Sequence, residues 1–207
     1  GISNISPLRG RLGGFDVGPG NCLMDEWYAT HHTEHGANRF DASGAWAASG
    51  NVNDALLVNL LNDPYFSLEP PKSTGREYFN QAWLSPHLEQ TNGDITNQDV
   101  QATLAEFTAI SIADGISKSL PNVSHVPVCG GGRLNTHLLQ RLERALHARG
   151  HSQCVVEPTE YWGIDGDAVE AAAFAWLAYR RHYLLPGNMT EVTGAHGPRV
   201  LGAIYPG

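Results

Sequence analysis

The stretch from residue 126 to residue 135 reads VPVCGGGRLN, and it decides the fold class. Val126–Cys129 predicts a short strand, the three glycines predict a tight loop, and Asn135 is a natural helix N-cap. Cys154–Val156 predicts the next strand. Strand, glycine loop, helix and strand together form a βαβ unit, so we expect an α/β fold. The helix between the strands would bury Leu138, Leu139, Leu142 and Leu146.

A second strand and glycine loop lie near the start of the chain. Ile2–Ser6 and Leu12–Phe15 predict a hairpin joined by a basic turn at Leu8–Arg11. Asp16 would end the second strand, and residues 17–21, VGPGN, would form a loop before a helix that opens at Cys22. A carboxylate beside free backbone N–H groups would pair a base with a phosphate-binding loop. Equally, Asp16 could cap the turn while the glycines only make it tight.

The middle of the chain is predicted to be mainly helical. Residues 51–62 predict an amphipathic helix, and Thr96 with Asp99 predicts the start of a longer one. Thr74 and Glu77 have the spacing of a capping box before a further helix that holds Phe79, Trp83 and Leu84. The longer helix would bury Val100, Leu104, Phe107 and Ile110.

The carboxyl-terminal part predicts an alanine-rich helix from about Asp167 to Tyr183. A surface loop near Pro186–Pro198 and a final strand around Val200–Tyr205 would follow. Acids at the start of the alanine-rich helix complement its dipole without any function. Glu170 could still point into a cleft, because its turn of helix is otherwise alanine, although spacing favours the structural interpretation.

Composition excludes several classes of function. The chain has 207 residues, of which 42% are hydrophobic and 16% charged, which is typical of a folded α/β unit. Its 13 Lys and Arg against 21 Asp and Glu argue against a nucleic-acid partner. We find neither a membrane-spanning run nor a signal peptide, and expect a cytoplasmic protein. The three cysteines are far apart and are expected to be buried thiols: Cys22, Cys129 and Cys154.

Two short motifs compete with the phosphate interpretation. His31, Glu34 and His35 have the H-x-x-E-H spacing of a zinc hydrolase, but Gly36 follows at once and the segment is typical of a solvated helix end. We therefore expect no metal site here. The KSTG sequence at residues 72–75 is not a Walker A motif, since its first two glycines are missing. A basic loop near substrate, or a domain contact, is the better interpretation.

Several longer motifs stand in one order along the chain. They are GFDVGPGN at 14–21, DPYF at 63–66, PKSTGRE at 71–77, CGGG at 129–132 and GDAVEA at 166–171 with FAW at 174–176. Together they closely resemble the anhydro-N-acetylmuramic acid kinase family. The similarity runs from the first strand to the end of the chain.

The resemblance implies a fold and a reaction. Members share the fold of hexokinase, Hsp70 and actin, in which two RNase-H-like α/β domains, each with a mixed sheet and flanking helices, close on a nucleotide. Residues 1–207 would be the C-terminal domain, while an N-terminal kinase domain, absent from this chain, would carry the first phosphate loop and most contacts to Mg2+. The reaction would use ATP to open 1,6-anhydro-N-acetylmuramic acid and phosphorylate O6, giving N-acetylmuramate 6-phosphate in peptidoglycan recycling. A homodimer is a further expectation.

The resemblance also assigns roles to residues of this chain. Asp16 would be the base that deprotonates the attacking water, and Glu170 a second carboxylate facing the sugar or the water. A nucleotide- or sugar-binding module without catalysis is the alternative. The nucleotide contacts would come from the second phosphate loop at Gly18, Gly20 and Asn21, and from the adenosine side at Gly130, Gly131, Gly132 and Asn135.

Overall fold

The computed structural model describes residues 1–8, 13–34, 39–91 and 93–205, which form an α/β structure. Four strands are present in this part of the chain: β1 (Ile2–Ile5), β2 (Phe15–Pro19), β3 (His125–Val128) and β4 (Val155–Pro158). The α-helices are α1 (Cys22–His31), α2 (Ala45–Ser49), α3 (Asp54–Leu61), α4 (Gln81–Glu89), α5 (Asn97–Ser119), α6 (Thr136–Ala148), α7 (Val169–His182) and α8 (Thr190–Thr193). Among these helices, none combines the length and apolar character needed to cross a bilayer.

The core is built around the long helix α5. Its N-cap is Thr96, whose hydroxyl oxygen accepts a hydrogen bond from the Asp99 N–H at 3.2 Å, as the sequence predicts. Val100, Leu104 and Phe107 are fully buried, and α5 contacts α1, α2, α3, α6 and the β1–β2 hairpin. The amphipathic helix predicted at residues 51–62 is confirmed as α3. Most elements of the fold therefore bury their apolar side against one helix.

Strands β1 and β2 pair antiparallel, with a bulge that leaves Val17 without a partner in the register. Asp16 is the second residue of β2 rather than its last, so the predicted strand end is wrong. The strand continues because Val17 is buried against Gly115 of α5, and that burial outweighs the turn preference of the glycines. The predicted turn falls mostly on residues 9–12, outside the described residues.

The βαβ unit is confirmed, but the single mixed sheet is not. β3 and β4 pair in parallel, with His125 opposite Val155, and α6 lies between them in the chain. Within the described ranges the strands form two separate two-stranded sheets. The predicted strand around Val200–Tyr205 does not form, because Gly202 has φ of +79° and interrupts an extended backbone.

Three further expectations need correction or refinement. The capping box at Thr74 is wrong: α4 begins after Asn80, whose side-chain oxygen accepts from the Trp83 N–H at 3.1 Å. Cys129 is exposed at the end of β3, while the other two cysteines are buried as expected. The alanine-rich helix is confirmed as α7, and the loop that follows it contains the short helix α8.

We predict that Asn80→Ala lowers the free energy of unfolding by about 1 kcal/mol, because the amide N–H of Trp83 loses its capping partner. Glu77→Ala is the matched control and should change stability by less than about 0.5 kcal/mol, since an exposed side chain without a capping role contributes little. Urea unfolding of both variants measures the difference. An equal loss of unfolding free energy in Glu77→Ala would instead support the capping box between Thr74 and Glu77.

Candidate functional site

Asp16 lies on the wall of an open cavity of about 540 Å³. The cavity is formed by the β1–β2 hairpin, residues 71–73 and two residues of α8, Val192 and Thr193. The Asp16 side chain is half-buried. The structure therefore places the predicted base at a cleft rather than in the core.

Two donors hold one oxygen of the Asp16 carboxylate. The Ser73 hydroxyl donates to Oδ2 at 2.7 Å, and the Thr74 N–H donates to the same oxygen at 3.0 Å. Oδ1 accepts no hydrogen bond from the described residues. One oxygen thus fixes the orientation of the carboxylate, and the other is available to a ligand.

The backbone of Asp16 is held by the same part of the chain. Its N–H donates to the Lys72 carbonyl oxygen at 3.2 Å, and its carbonyl oxygen accepts from the Tyr65 hydroxyl at 2.7 Å. Burial, and then the negative charge of Asp16, raise the pKa of Tyr65 to about 12. The Tyr65 hydroxyl therefore keeps its proton and remains a donor at neutral pH.

Lys72 brings a positive charge to the cavity. Its ammonium group donates to the Tyr65 carbonyl oxygen at 3.2 Å and lies 4.6 Å from the centre of the Tyr65 ring. Burial is the main cause that lowers the pKa of Lys72, and the charge of Lys118 adds to it. The KSTG loop is thus next to Asp16, and its interpretation as a basic loop near substrate stays a prediction.

Asp63 stabilises the segment that carries Tyr65, and sequence reasoning did not assign it a role. Its buried carboxylate accepts from the Tyr65 N–H at 2.8 Å, the Tyr78 hydroxyl at 3.0 Å and the Trp83 ring N–H at 2.9 Å. It caps the short turn Pro64–Ser67 that carries Tyr65. The Asp-Pro pair, which is typical of a helical start, is the signal that could have revealed it.

The predicted phosphate loop is shaped by packing and hydrogen bonds inside the chain. A Cβ on Gly18 would lie 2.8 Å from Phe66, so this position needs glycine for contact with a ring. The N–H groups of Gly20 and Cys22 donate to the Gly1 carbonyl oxygen at 2.8 and 3.1 Å. The expectation that these N–H groups are free is therefore wrong, and the role of Gly18, Gly20 and Asn21 in phosphate binding stays a prediction.

The two predicted glycine loops meet at Asn21. The Asn21 amide nitrogen donates to Asp25 Oδ2 at 2.6 Å, and a Cβ on Gly131 would lie 3.7 Å from the same nitrogen. Gly130 has φ of +72°, and a Cβ there would meet nothing within 4 Å. The turn thus presents a backbone surface free of side chains beside Asn21. Asn135 is confirmed as the α6 N-cap, with its side-chain oxygen accepting from the Leu138 N–H at 2.9 Å.

Arg133 connects the Gly130 turn to the start of α7, and sequence reasoning missed it. Its buried guanidinium pairs with both oxygens of Asp167 at 2.8 Å and with Glu160 at 2.6 Å, and it also donates to the Gly130 carbonyl oxygen at 3.1 Å. The Arg133 guanidinium lowers the pKa of both carboxyl groups. No sequence spacing links residues so far apart, so only the fold could reveal this contact.

The second predicted carboxylate does not join Asp16. Glu170 is exposed on the first turn of α7 and is absent from the lining of the Asp16 cavity. Glu170 comes soon after Asp167 in the chain, and Asp167 pairs with Arg133. Glu170 is therefore nearer to the Gly130 turn in the fold. Its role stays a prediction.

The zinc motif is only partly covered by the structure. His31 is the last residue of α1, and its Nδ1 lies 2.8 Å from the Trp27 carbonyl oxygen. His35 lies outside the described residues. In the part of the chain that the structure describes, no group of three His, Cys, Asp or Glu could hold a metal ion.

Comparison with known proteins gives the family. The family model for anhydro-N-acetylmuramic acid kinase matches residues 1–207. The chain belongs to the anhydro-N-acetylmuramic acid kinase family. This finding confirms the resemblance that the motifs predict.

Curated relatives carry the same family name. The chain is 48% identical over 208 residues to the anhydro-N-acetylmuramic acid kinase of Nitrosomonas europaea, covering all of this chain and 54% of the relative. It is 49% identical over 210 residues to that of Cupriavidus pinatubonensis, with the same coverage of both chains. The chain therefore spans about half the length of the anhydro-N-acetylmuramic acid kinases it matches.

We predict that the Asp167–Arg133 pair makes stability depend on pH. Since the folded pKa of Asp167 is lowered, its contribution is fully present above the unfolded value of about 3.9 and is lost as pH falls through the folded value. Asp167→Asn should therefore lower the Tm at pH 7, and the difference from the unmodified chain should shrink below about pH 4. Thermal unfolding across this range measures it.

The control for this prediction is Asp94→Asn, at an exposed loop position. It should give little difference in Tm at either pH. A difference for Asp167→Asn that is constant from pH 7 to the acid limit would contradict the ion-pair explanation.

Proposed function

We propose that this chain is the catalytic-base half of an ATP-dependent sugar kinase. The full-length enzyme would hydrolytically open 1,6-anhydro-N-acetylmuramic acid and phosphorylate O6, giving N-acetylmuramate 6-phosphate, in the cytoplasm where ATP is available. Family membership over residues 1–207 supports this reaction. The observation that carries it is the Asp16 carboxylate on a cavity wall, held at Oδ2 by two donors while Oδ1 accepts no hydrogen bond from the described residues.

The proposed chemistry uses Asp16 as a general base. Oδ1 takes one proton from a water molecule while the water oxygen bonds to the anomeric carbon. The bond between that carbon and O6 breaks, and O6 bonds to the γ-phosphorus of ATP while the bond from that phosphorus to the β–γ bridging oxygen breaks and ADP leaves. Ser73 and Thr74 orient the carboxylate, because both donate to Oδ2. Lys72 favours an anionic ligand in the cavity.

The Gly130 turn fits a nucleotide. A flat ring can approach its backbone, because the position where a Gly130 side chain would stand is open and Gly131 has no side chain beside the Asn21 amide. Asn21 lies beside this turn, so the adenine base and the phosphates of one nucleotide could contact neighbouring residues. We propose Gly130, Gly131, Gly132 and Asn135 for the adenosine side, with Asn135 acting through the helix start that it caps.

The phosphate side fits less completely. For the Gly20 N–H to reach a phosphate, the Gly1 carbonyl oxygen must move away. We propose that Gly18, Gly20 and Asn21 form the phosphate loop after such a change. Mg2+ would be held mainly by the nucleotide and by the amino-terminal half of the enzyme.

The two halves would share the fold of hexokinase, Hsp70 and actin, with this chain as an RNase-H-like domain. The cavity at Asp16 is open on one side, and the amino-terminal half would close it. Glu170 would then reach the sugar or the attacking water from the Gly130 side. We retain the homodimer as a prediction.

We predict that Asp16→Asn in the full-length enzyme lowers kcat by about 10²–10⁴-fold, because the amide cannot take the proton. Binding of ATP and of the anhydro-sugar should be retained, as measured by calorimetric titration. Asp94→Asn should keep normal turnover. Retained turnover in Asp16→Asn would remove Asp16 from the mechanism, and binding without turnover in the unmodified enzyme would favour a non-catalytic module.

We predict that Ser73→Ala in the full-length enzyme lowers kcat by about tenfold and leaves KM nearly unchanged, because one of two hydrogen bonds that orient the base is lost. Ser73→Thr should restore kcat, since it keeps the hydroxyl group. Steady-state kinetics of both variants separates this role from general folding. A rise in KM with normal kcat would instead assign Ser73 to sugar binding.

A further inference from the structure

Helix α7 exposes an apolar surface along its whole length. None of its fourteen residues is buried. Residues 171–179 read AAAFAWLAY, without a charge. We define the α7 surface as Phe174, Trp176 and Tyr179, which are 71%, 49% and 56% exposed. Residues two apart on a helix do not share a face, so Phe174 faces away from Trp176 and the exposed apolar side chains lie on more than one side of α7.

The remaining contacts of α7 are with the segment that follows it. Leu177 is half-buried and lies against Gly187, and the Arg180 side chain donates to the Pro186 carbonyl oxygen at 2.7 Å. These contacts cover one side of the helix. The Arg180 guanidinium also lies 5.2 Å from the centre of the Trp176 ring, and about half or more of each aromatic side chain of the α7 surface remains exposed.

A helix that is apolar all round is normally buried, and contiguous exposed apolar surface marks a site of interaction. An aromatic side chain that passes from water into an apolar contact stabilises that contact. Charges stand only at the ends of α7, at Glu170 and at residues 180–182. The partner surface must therefore be apolar at its centre.

The other half of the enzyme is the occupant that the observations favour. This chain covers 54% of its relatives, so a second part of similar size belongs to the full-length protein. Helix α7 begins directly after the Arg133–Asp167 pair, which fastens it to the Gly130 turn. A partner on α7 would therefore lie next to the turn where we place the nucleotide.

We propose that the amino-terminal half of the full-length protein packs on the α7 surface. This inference rests on the proposed architecture of two halves. Packing there would couple the position of the second half to the Gly130 turn through Arg133. It would also place Glu170, on the first turn of α7, at the boundary between the halves.

The test uses the full-length protein with Phe174→Ser and Trp176→Ser together. We expect the Tm to fall by at least about 4 °C, because both side chains lose buried contacts. The matched control is Val58→Ser on α3, where the side chain is 57% exposed, and its Tm should change by less than about 2 °C. Hydrogen exchange of the unmodified protein should show residues 171–179 protected as strongly as α5.

Three outcomes would overturn the inference. The first is a Tm change equal to that of the Val58 control, and the second is fast exchange throughout residues 171–179. The third is a dimer in sedimentation velocity that the double variant converts to a monomer of unchanged Tm, which would assign the surface to a second copy. Kinase activity of the unmodified protein is measured separately. If the unmodified protein has no kinase activity, the proposed reaction is rejected and the packing result stands. If it is active but α7 is unprotected from exchange, the packing inference is rejected and the proposed reaction stands.

Discussion

The hydrogen bonds between β2 and residues 65–74 determine the site. Asp16 is bound at its N–H, its carbonyl oxygen and one carboxylate oxygen by Lys72, Tyr65, Ser73 and Thr74. An isolated two-stranded hairpin is marginally stable in water, so β1 and β2 need this segment on one side and α5 on the other. The same contacts that stabilise the strand orient the carboxylate. The cavity beside Asp16 exists because the segment passes along the strand at this point.

A second set of contacts serves the glycine turn. Arg133 is buried, and its guanidinium joins the Gly130 carbonyl oxygen to Asp167 and Glu160. A buried arginine is tolerated only when its donors are satisfied, and here two carboxylates and a carbonyl do so. The turn can remain free of side chains because the Arg133 guanidinium stabilises it through the Gly130 carbonyl oxygen. Asp63 has the comparable role behind Tyr65, where one carboxylate accepts three donors.

Much of the fold was predictable from local pattern. The caps Thr96 and Asn135 and the leucine spacing of α6 predict helices where the structure has them, because these signals act within one turn of helix. Asp16 was selected as a candidate because an acid before a glycine loop and a helix start can pair a base with an anion site. The errors lie where a distant contact outweighed a local preference. Val17 extends β2 by packing on α5, and Thr74 donates to Asp16 instead of opening a helix.

The sequence by itself determined the α/β class, the βαβ unit, the family and the identity of the acid at position 16. These depend on residue types and spacings along the chain. Only the tertiary structure decided that Ser73 and Thr74 hold that acid, that Arg133 fastens the Gly130 turn to α7, and that Glu170 stands apart from the Asp16 cavity. The physical reason is that side-chain hydrogen bonds and ion pairs depend on distances in space, and residues 27 to 58 positions apart carry no shared period in the sequence.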